Sequence, residues 1–596
     1  MAFQNFDPPE SASAGGTAAA RMAALRARFA DLEVDGVLVP HEDEYQSEYV
    51  PPWSDRLAFL TGFTGSAGRA VVLADSALFA TDGRYTLQAA DQVDGTLFTI
   101  VSTEDAAKAW REAHLAGKCL GIDPMLHTAA SLKPYAEAGA TLVPLSANPV
   151  DPIWNHRPPV ARGPARAHPA QYAGRTHEEK LADLRETMKT DALFIAASDS
   201  VSWLMNWRGA DVSHTPLVLS RAFVPKDGPI TIFCEPDILG PLGPLGEGRA
   251  IVPPGEMLPH LATLAKGRTV SADPARTPEA ILAVLRNAGT LVEAPDPSQR
   301  MKAIKNAAEI AGMRDCHHRD GIAVTQFLAW LDTHAVGATE IDIVERLEAF
   351  RRAQGATDAS FDTIAGSGPN GAIVHYRVDR STNRTIEANE PVLIDSGAQY
   401  PDGTTDITRT IVAGTPSEEF RIHFTLVLKG HIRVAMQRFP VGTMGAELDP
   451  LARAALWQAG FDYLHGTGHG VGAALGVHEG PQNISKRGRE PLAPGMIVSN
   501  EPGVYHTGRY GIRIENLCLV TEPRVPPGGE RPSLSFETLT LAPIDTRLVM
   551  PSLLSPAETA WLDTYHARVQ GALVGDLDPQ ERAWLTERCR PLAGTA

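Results

Sequence analysis

Cysteine is scarce and scattered in this 596-residue chain, at Cys119, Cys234, Cys316, Cys518 and Cys589. The odd count and wide spacing argue against a disulfide framework. With no C-x-x-C pair, a thiolate zinc site is not expected either, and a reducing compartment fits. Basic residues are outnumbered, 54 Lys and Arg against 71 Asp and Glu, for a net charge of −17. That balance argues against nucleic acid or an anionic membrane surface as partner, since both call for a basic patch. There is no run of about 18 apolar residues to span a bilayer. Met1 to Ala20 shows no basic stretch followed by an apolar one, so no export signal is expected there. Glycine and proline, at 52 and 46, fall below a low-complexity share, and 43% hydrophobic residues suffice for several cores. At roughly 100–200 residues per domain, three or four domains are expected in a soluble, cytoplasmic protein.

The chain divides into three regions. After a tail of about 20 residues, apolar strands at Gly36 to Pro40, Ala70 to Leu73, Leu78 to Thr81 and Leu97 to Val101 alternate with helix patterns. This predicts an α/β domain over 1–155. Arg157 to Ala170, with four prolines, reads as a linker. A second α/β domain is predicted over 156–298. Its Trp203 to Asp211 segment echoes Phe59 to Gly65, as if one fold had been copied. The third region, 299–596, opens with a long helix pattern through Ile304, Ala308 and Ile310. It ends in two helices whose starts, Ser555-Pro556-Ala557-Glu558 and Asp578-Pro579-Gln580-Glu581, each offer an N-cap, a proline and a capping glutamate.

The third region also holds the chemistry. Val392 to Gly397 is an apolar strand carrying Asp395, and Asp406 opens the next strand after a turn at Gly403. The two acids lie 11 residues apart, a spacing that a hairpin closes. His465-Gly466-Thr467-Gly468-His469 follows, with glycines that permit close backbone approach. His478, Glu501 and Glu515 come next, each glutamate after an apolar run. If the four acids converge, they cannot all stay ionised without compensation, and two divalent cations would supply the charge. Carboxylates with one imidazole suit Mn²⁺, Co²⁺ or Fe²⁺, with Zn²⁺ also possible. Two such ions about 3.5–4 Å apart hold a bridging hydroxide and polarise a carbonyl.

The order Asp, Asp, His, Glu, Glu resembles the ligand set of the dimetal pita-bread peptidases, which include methionine aminopeptidase, prolidase and Xaa-Pro aminopeptidase. Later spacings are 63, 32 and 14 residues. Phe361 to Tyr376, Tyr463 to Gly472 and Phe536 to Thr540 look like the long Xaa-Pro aminopeptidases. Thr81 to Tyr85 and Arg208 to Val212 look like that family's two N-terminal domains. The resemblance implies two creatinase-N-terminal-like α/β domains followed by an α+β pita-bread catalytic domain.

It also implies roles. Asp395 would chelate one metal, Asp406 and Glu515 would bridge, and His469 and Glu501 would complete the second site. Glu501 would double as general base. His375, His465 and His478 are similar to the family's three non-ligand histidines, which move protons and hold the carbonyl or oxyanion. Arg513 is similar to the arginine that orients the site. The implied activity is removal of an N-terminal residue that precedes proline, through a hydroxide held between two metal ions, Mn²⁺ foremost, in a homodimer. Prolidase chemistry on dipeptides is the alternative, disfavoured by about 300 residues ahead of the catalytic region. A metal-free creatinase-like hydrolase and a non-catalytic protein-binding pita-bread module are disfavoured by the intact ligand set.

Overall fold

The computed structural model describes residues 3–7, 16–113, 115–243 and 248–592. The chain folds into two compact units, one of residues 8–168 and 175–298, the other of residues 1–7, 169–174 and 299–596.

The first unit contains two six-stranded sheets. The first consists of β1 (Gly36–Pro40), β2 (Arg69–Leu73), β3 (Ala77–Thr81), β4 (Thr99–Ser102), β5 (Cys119–Ile122) and β6 (Thr141–Pro144), in the order β4-β3-β2-β1-β5-β6. The second consists of β7 (Ala192–Ile195), β8 (Arg221–Pro225), β9 (Ile230–Phe233), β10 (Arg249–Val252), β11 (Thr269–Ala272) and β12 (Thr290–Glu293), in the order β10-β9-β8-β7-β11-β12. The two orders are the same, and so is the pattern of antiparallel and parallel pairs. Val37, Val39, Ala70, Val72 and Phe79 enter one core, while Leu38, Val71, Leu78 and Ala80 enter another. Burial on both faces explains why these strands read as unbroken apolar runs.

The echo between Phe59 to Gly65 and Trp203 to Asp211 has a structural basis. In each copy the first strand leads to a short helix, Arg56–Thr61 or Ser198–Met205. Each helix ends in a left-handed residue, Gly62 (φ 84°) or Asn206 (φ 54°), and a buried aromatic follows. Within the expected linker, Arg166–Ala167 pair with Trp207–Arg208 as a two-stranded ladder.

In the other unit, β13 (Ile364–Ser367), β14 (Pro391–Ser396) and β15 (Ile407–Val412) form an antiparallel sheet. A five-stranded sheet contains β16 (Gly468–Gly470), β17 (Glu479–Ile484), β18 (Ile497–Asn500), β21 (Asn516–Val520) and β22 (Phe536–Thr538). Between β18 and β21 in sequence lies a hairpin of β19 (Gly503–His506) and β20 (Tyr510–Arg513).

Two readings change here. The long helix expected from Ser298 is broken: Pro297–Ala303 is one helix, and Asn306 then caps a new one, Ala307–His334, through a capping box with Glu309. The first 20 residues are not uniformly loose. Phe3 and Gln4 donate backbone N–H to Glu348 at 2.6 and 3.0 Å, Gln4 accepts from Thr363 at 2.8 Å, and Phe6 is buried. A buried carboxylate that needs donors fixes a segment whose composition looks unconstrained. Ala18–Arg26 is helical with Thr17 as its cap, while residues 11–15 of that tail lie outside the described residues.

The two C-terminal helices, Pro556–Leu573 and Pro579–Arg588, have the capping boxes that their sequences signal. Their apolar residues, however, pack inward. Leu562 and Leu585 are fully buried in a core with Phe424, Val427 and Ile544, and Trp561 and Trp584 pack against it. These residues therefore supply no exposed apolar face for association.

Candidate active site

The proposed ligands sit at strand ends. Asp395 is the penultimate residue of β14, and its register partner is Thr408 on β15, two residues after Asp406. The hairpin expected from their spacing thus forms. Asn500, the last residue of β18, pairs with Asn516, the first of β21. Glu501 and Glu515 therefore flank the same end of one ladder. His469 lies on β16, beside a register shift at Gly470. Donor atoms of Asp406, His469 and Glu515 all fall within 4.8 Å of one another. His469 Nε2 is 3.4 Å from Asp406 Oδ2 and 3.6 Å from Glu501 Oε1.

Arg513, at the end of β20, donates to Asp395 from Nη2 (2.6 Å) and Nε (3.2 Å). Its Nη1 donates to the Tyr505 hydroxyl (2.6 Å), and its Nη2 also reaches the Val374 carbonyl (3.2 Å). The last contact holds the chain beside His375. On the other side of His375, the Tyr376 hydroxyl donates to Glu340 at 2.8 Å. The His478 ring meets the His469 ring edge-on at a centroid distance of 4.3 Å.

The two histidines of the glycine-rich loop differ in their partners. His469 Nδ1 lies 2.9 Å from the Gly470 carbonyl, which only accepts, so this nitrogen carries the proton. Neutral His469 would then present the Nε2 lone pair to two carboxylates. His465 Nδ1 likewise donates to the Gly466 carbonyl (2.8 Å), but its Nε2 lies 2.8 Å from the Tyr505 hydroxyl. Both ring nitrogens of His465 are thus satisfied by the protein.

The residues fit a cation centre. Asp395 Oδ1 and Asp406 Oδ1 are buried without a hydrogen-bond partner, which is costly for a carboxylate oxygen. Burial, then Asp406, Asp395 and Glu501, hold the Glu515 carboxyl well above the usual range. Burial likewise pushes Glu501 up to about 7, with Asp406 and Asp395 opposing the pull of His469 and Arg513. Asp395 is raised by burial, although Arg513 counteracts it. Burial by itself would lower His469, yet Asp406 and Glu501 hold it up at about 9. Excess negative charge with one imidazole nitrogen aimed into it is a donor set for hard or borderline cations.

Tyr505, Thr408 and Ser499 are site residues that the sequence reading did not single out. Thr408 donates to Glu515 (2.7 Å), and Ser499 donates to Glu501 (3.1 Å) while accepting from the His469 backbone N–H (2.9 Å). Thr408 and Ser499 stand two residues from Asp406 and Glu501 respectively, so strand periodicity was the available signal.

The crowding of charge predicts a pH slope for protein stripped of metal. His469 is raised from 6.5 to about 9, so its contribution to stability is complete below 6.5 and is lost as pH rises towards 9. The raised carboxyls act in the same direction, because the folded state retains protons that the unfolded state releases. Chelator-treated protein should therefore melt lower at pH 9 than at pH 7, and saturating divalent cation should flatten the slope. Calorimetry checks this, and a flat or rising profile in the stripped protein refutes the crowding account.

Residues 311–522 match Metallopeptidase family M24, and residues 532–592 match the C-terminal region of peptidase M24. Residues 21–153 and 156–309 each match the creatinase/prolidase N-terminal domain. A probable Xaa-Pro aminopeptidase P of Neosartorya fischeri is 39% identical over 96% of this chain and 92% of its own length. A probable Xaa-Pro aminopeptidase P of Aspergillus niger is 38% identical over 96% and 98%. The solved X-prolyl aminopeptidase of Caenorhabditis elegans, described as a cytosolic enzyme with a di-nuclear active site, superposes with a TM-score of 0.91. It is 35% identical, over 97% of this chain and 100% of its own. An Xaa-Pro dipeptidase from Bacillus anthracis reaches a TM-score of 0.50 at 25% identity, over 62% of this chain and 99% of its own. The expected architecture holds: two creatinase-like α/β domains precede a pita-bread domain. The chain belongs to metallopeptidase family M24, among its long members with two creatinase/prolidase N-terminal domains.

Proposed function

We propose that the chain is a metallo-aminopeptidase that hydrolyses the bond between an N-terminal residue and a following proline. The reading is carried by the group of Asp406, His469 and Glu515, both carboxylates buried and the imidazole half-buried, inside a four-carboxylate cluster. Domain bounds of 1–155, 156–298 and 299–596 belong to the same reading. Asp395, Asp406, His469, Glu501 and Glu515 would hold two divalent cations, Mn²⁺ foremost with Co²⁺, Fe²⁺ or Zn²⁺ as substitutes. When bound, such a pair supplies an activated water and polarises the scissile carbonyl.

The chain's own residues do the rest. Glu501, held by the Ser499 hydroxyl at the edge of the cluster, is the candidate general base. Arg513 fixes one Asp395 oxygen and leaves the other facing the cluster. It also donates to Tyr505, whose hydroxyl is then free to donate to His465 Nε2. His465 thus has a proton path that does not compete with metal ligation. His375 and His478 hold the substrate carbonyl and the oxyanion that develops from it. Proline's tertiary amide lacks an N–H and fixes φ, which defeats most peptidases, but carbonyl activation needs no N–H.

The unpaired cysteines, four of them buried, support a cytoplasmic setting. The relatives matched over 96–97% of this chain are Xaa-Pro or X-prolyl aminopeptidases, which favours an aminopeptidase over a dipeptidase.

Hydrolysis of an Xaa-Pro-Yaa tripeptide should require added Mn²⁺ after chelation. It should exceed hydrolysis of an Xaa-Pro dipeptide and fail when the N-terminus is acetylated. Full activity without metal, or equal cleavage of the acetylated peptide, overturns the assignment. A second test compares His465→Ala with His469→Ala. Losing His469 should lower bound metal along with rate. Losing His465 should leave metal in place while kcat falls by roughly 10²–10⁴, the range for acid–base groups. Should His465→Ala be the variant that loses metal, the ligand map is wrong. We also propose a homodimer whose contact does not use the inward-packed apolar residues of the C-terminal helices. Trp457 and Leu464, 45% and 67% exposed, are apolar residues available to such a contact. Sedimentation at micromolar concentration should give a dimer, and a monomer there counts against it.

A further inference from the structure

We propose that Arg453, held by Asp449, is the positioning residue for His465. The proposal rests on the reading of His465 as the proton-moving histidine.

Arg453 lies on the helix Gly445–Gln458 and is 1% exposed. Every one of its five N–H donors has a partner. Nε and Nη2 donate to the two oxygens of Asp449, one helical turn earlier, at 2.7 and 3.0 Å. Nη1 donates to Asp462 (2.8 Å) and to the Tyr463 carbonyl (2.7 Å). The second Nη2 donor reaches the His465 carbonyl at 2.8 Å. Its guanidinium also stacks on the Tyr463 ring, 3.8 Å from the centroid.

The segment it holds, residues 461–467, has no helix or strand of its own, so its carbonyls need outside donors. The pinning recurs at every second residue. Arg453 takes the carbonyls of Tyr463 and His465, and Asp449 accepts from the Thr467 hydroxyl at 2.7 Å. Thr467 Oγ1 also bonds the Tyr463 hydroxyl (2.6 Å), and the Thr467 carbonyl accepts from the Glu501 backbone N–H (2.7 Å).

His465 is the middle residue of this set. Its ring lies 4.7 Å from the Tyr463 ring and reaches Tyr505 only from this backbone position. Arg453 touches His465 through its carbonyl and through Tyr463, so it acts on the reaction only by aiming the imidazole. A lysine keeps the charge but has three donors on a single nitrogen, and cannot span Asp449 and two carbonyls at once.

The test is a double-mutant cycle of Arg453→Lys and His465→Ala, read as kcat, KM and bound metal. Arg453→Lys alone should lower kcat by roughly 10- to 100-fold, the scale of an ångström of misplacement. KM and metal content should stay within about twofold. In the His465→Ala background the same change should cost less than about twofold, because there is no imidazole left to aim. Equal losses in both backgrounds overturn the proposal and leave Arg453 a purely structural residue, as does an Arg453→Lys enzyme with unchanged kcat. If His465→Ala itself keeps full kcat, the reading of His465 falls and the clamp falls with it, an outcome distinct from additivity. If Arg453→Lys does not fold, Asp449→Asn, which loosens the same guanidinium while keeping side-chain size, enters the cycle with the same criteria.

Discussion

Asp395, Asp406, Glu501 and Glu515 are held in one place, where Asp406 raises the cost of ionising the other three. Their side chains cannot relax outward, because each is anchored at the end of a strand whose ladder is already paired. The β14–β15 pair fixes the two aspartates, and the β18–β21 pair fixes the two glutamates. The fold thus stores an electrostatic demand that only counter-charge can meet. Arg513 meets a part of it, and its bonds to Asp395 leave one oxygen of that residue without a partner. What remains is a donor set of the kind that divalent cations fill.

A second requirement concerns the histidines that the reading assigns to proton transfer and carbonyl binding. All three lie on segments with little regular structure, and each segment is tied to a buried charged group. Glu340 accepts from Ser367, Asn370, Tyr376 and Arg384, and so holds the chain on both sides of His375. Arg453 and Asp449 hold the chain around His465. Glu479, next to His478, pairs with Lys302 at 2.7 Å and with Lys305, all three buried. Placing an ion inside the protein is expensive, and here Glu340 and Arg453 each satisfy several backbone or side-chain groups of one loop, while Glu479 ties the chain beside His478 to two lysines far away in sequence. The cost goes into fixing geometry.

What the sequence reveals follows from how local each interaction is. Strands β1, β2 and β3 were legible because burial on both faces leaves unbroken apolar runs. The aspartate hairpin was legible because 11 residues separate its two acids. The helix caps at Ser555 and Asp578 are set by three consecutive residues after each cap. The groups behind the site were not legible. Lys302 and Glu479 are 177 residues apart, and Arg513 and Asp395 are 118 apart. No periodicity connects such pairs. The docking of Phe3 and Gln4 was hidden for the same reason, since Glu348 lies about 345 residues downstream. Only the resemblance to a family brought His375 into view and gave His465, His478 and Arg513 their roles, because it carries long-range information that one sequence lacks.

The motif His465-Gly466-Thr467-Gly468-His469 shows the limit most clearly. Both histidines give Nδ1 to a carbonyl of the following residue, so their local structures are alike. Their chemistry is separated by what lies opposite Nε2: carboxylates in one case and the Tyr505 hydroxyl in the other. Tyr505 reaches that position because a glycine precedes it by two on the same strand face. A Cβ on Gly503 would stand 2.7 Å from the Tyr505 hydroxyl, and one on Gly511, its register partner across the hairpin, 3.0 Å from the ring. The glycine of Glu501-Pro502-Gly503, which in isolation reads as an ordinary turn, thus clears the slot in which Tyr505 lies. That slot makes His465 a hydrogen-bonded histidine, while His469, four residues on, faces the carboxylates.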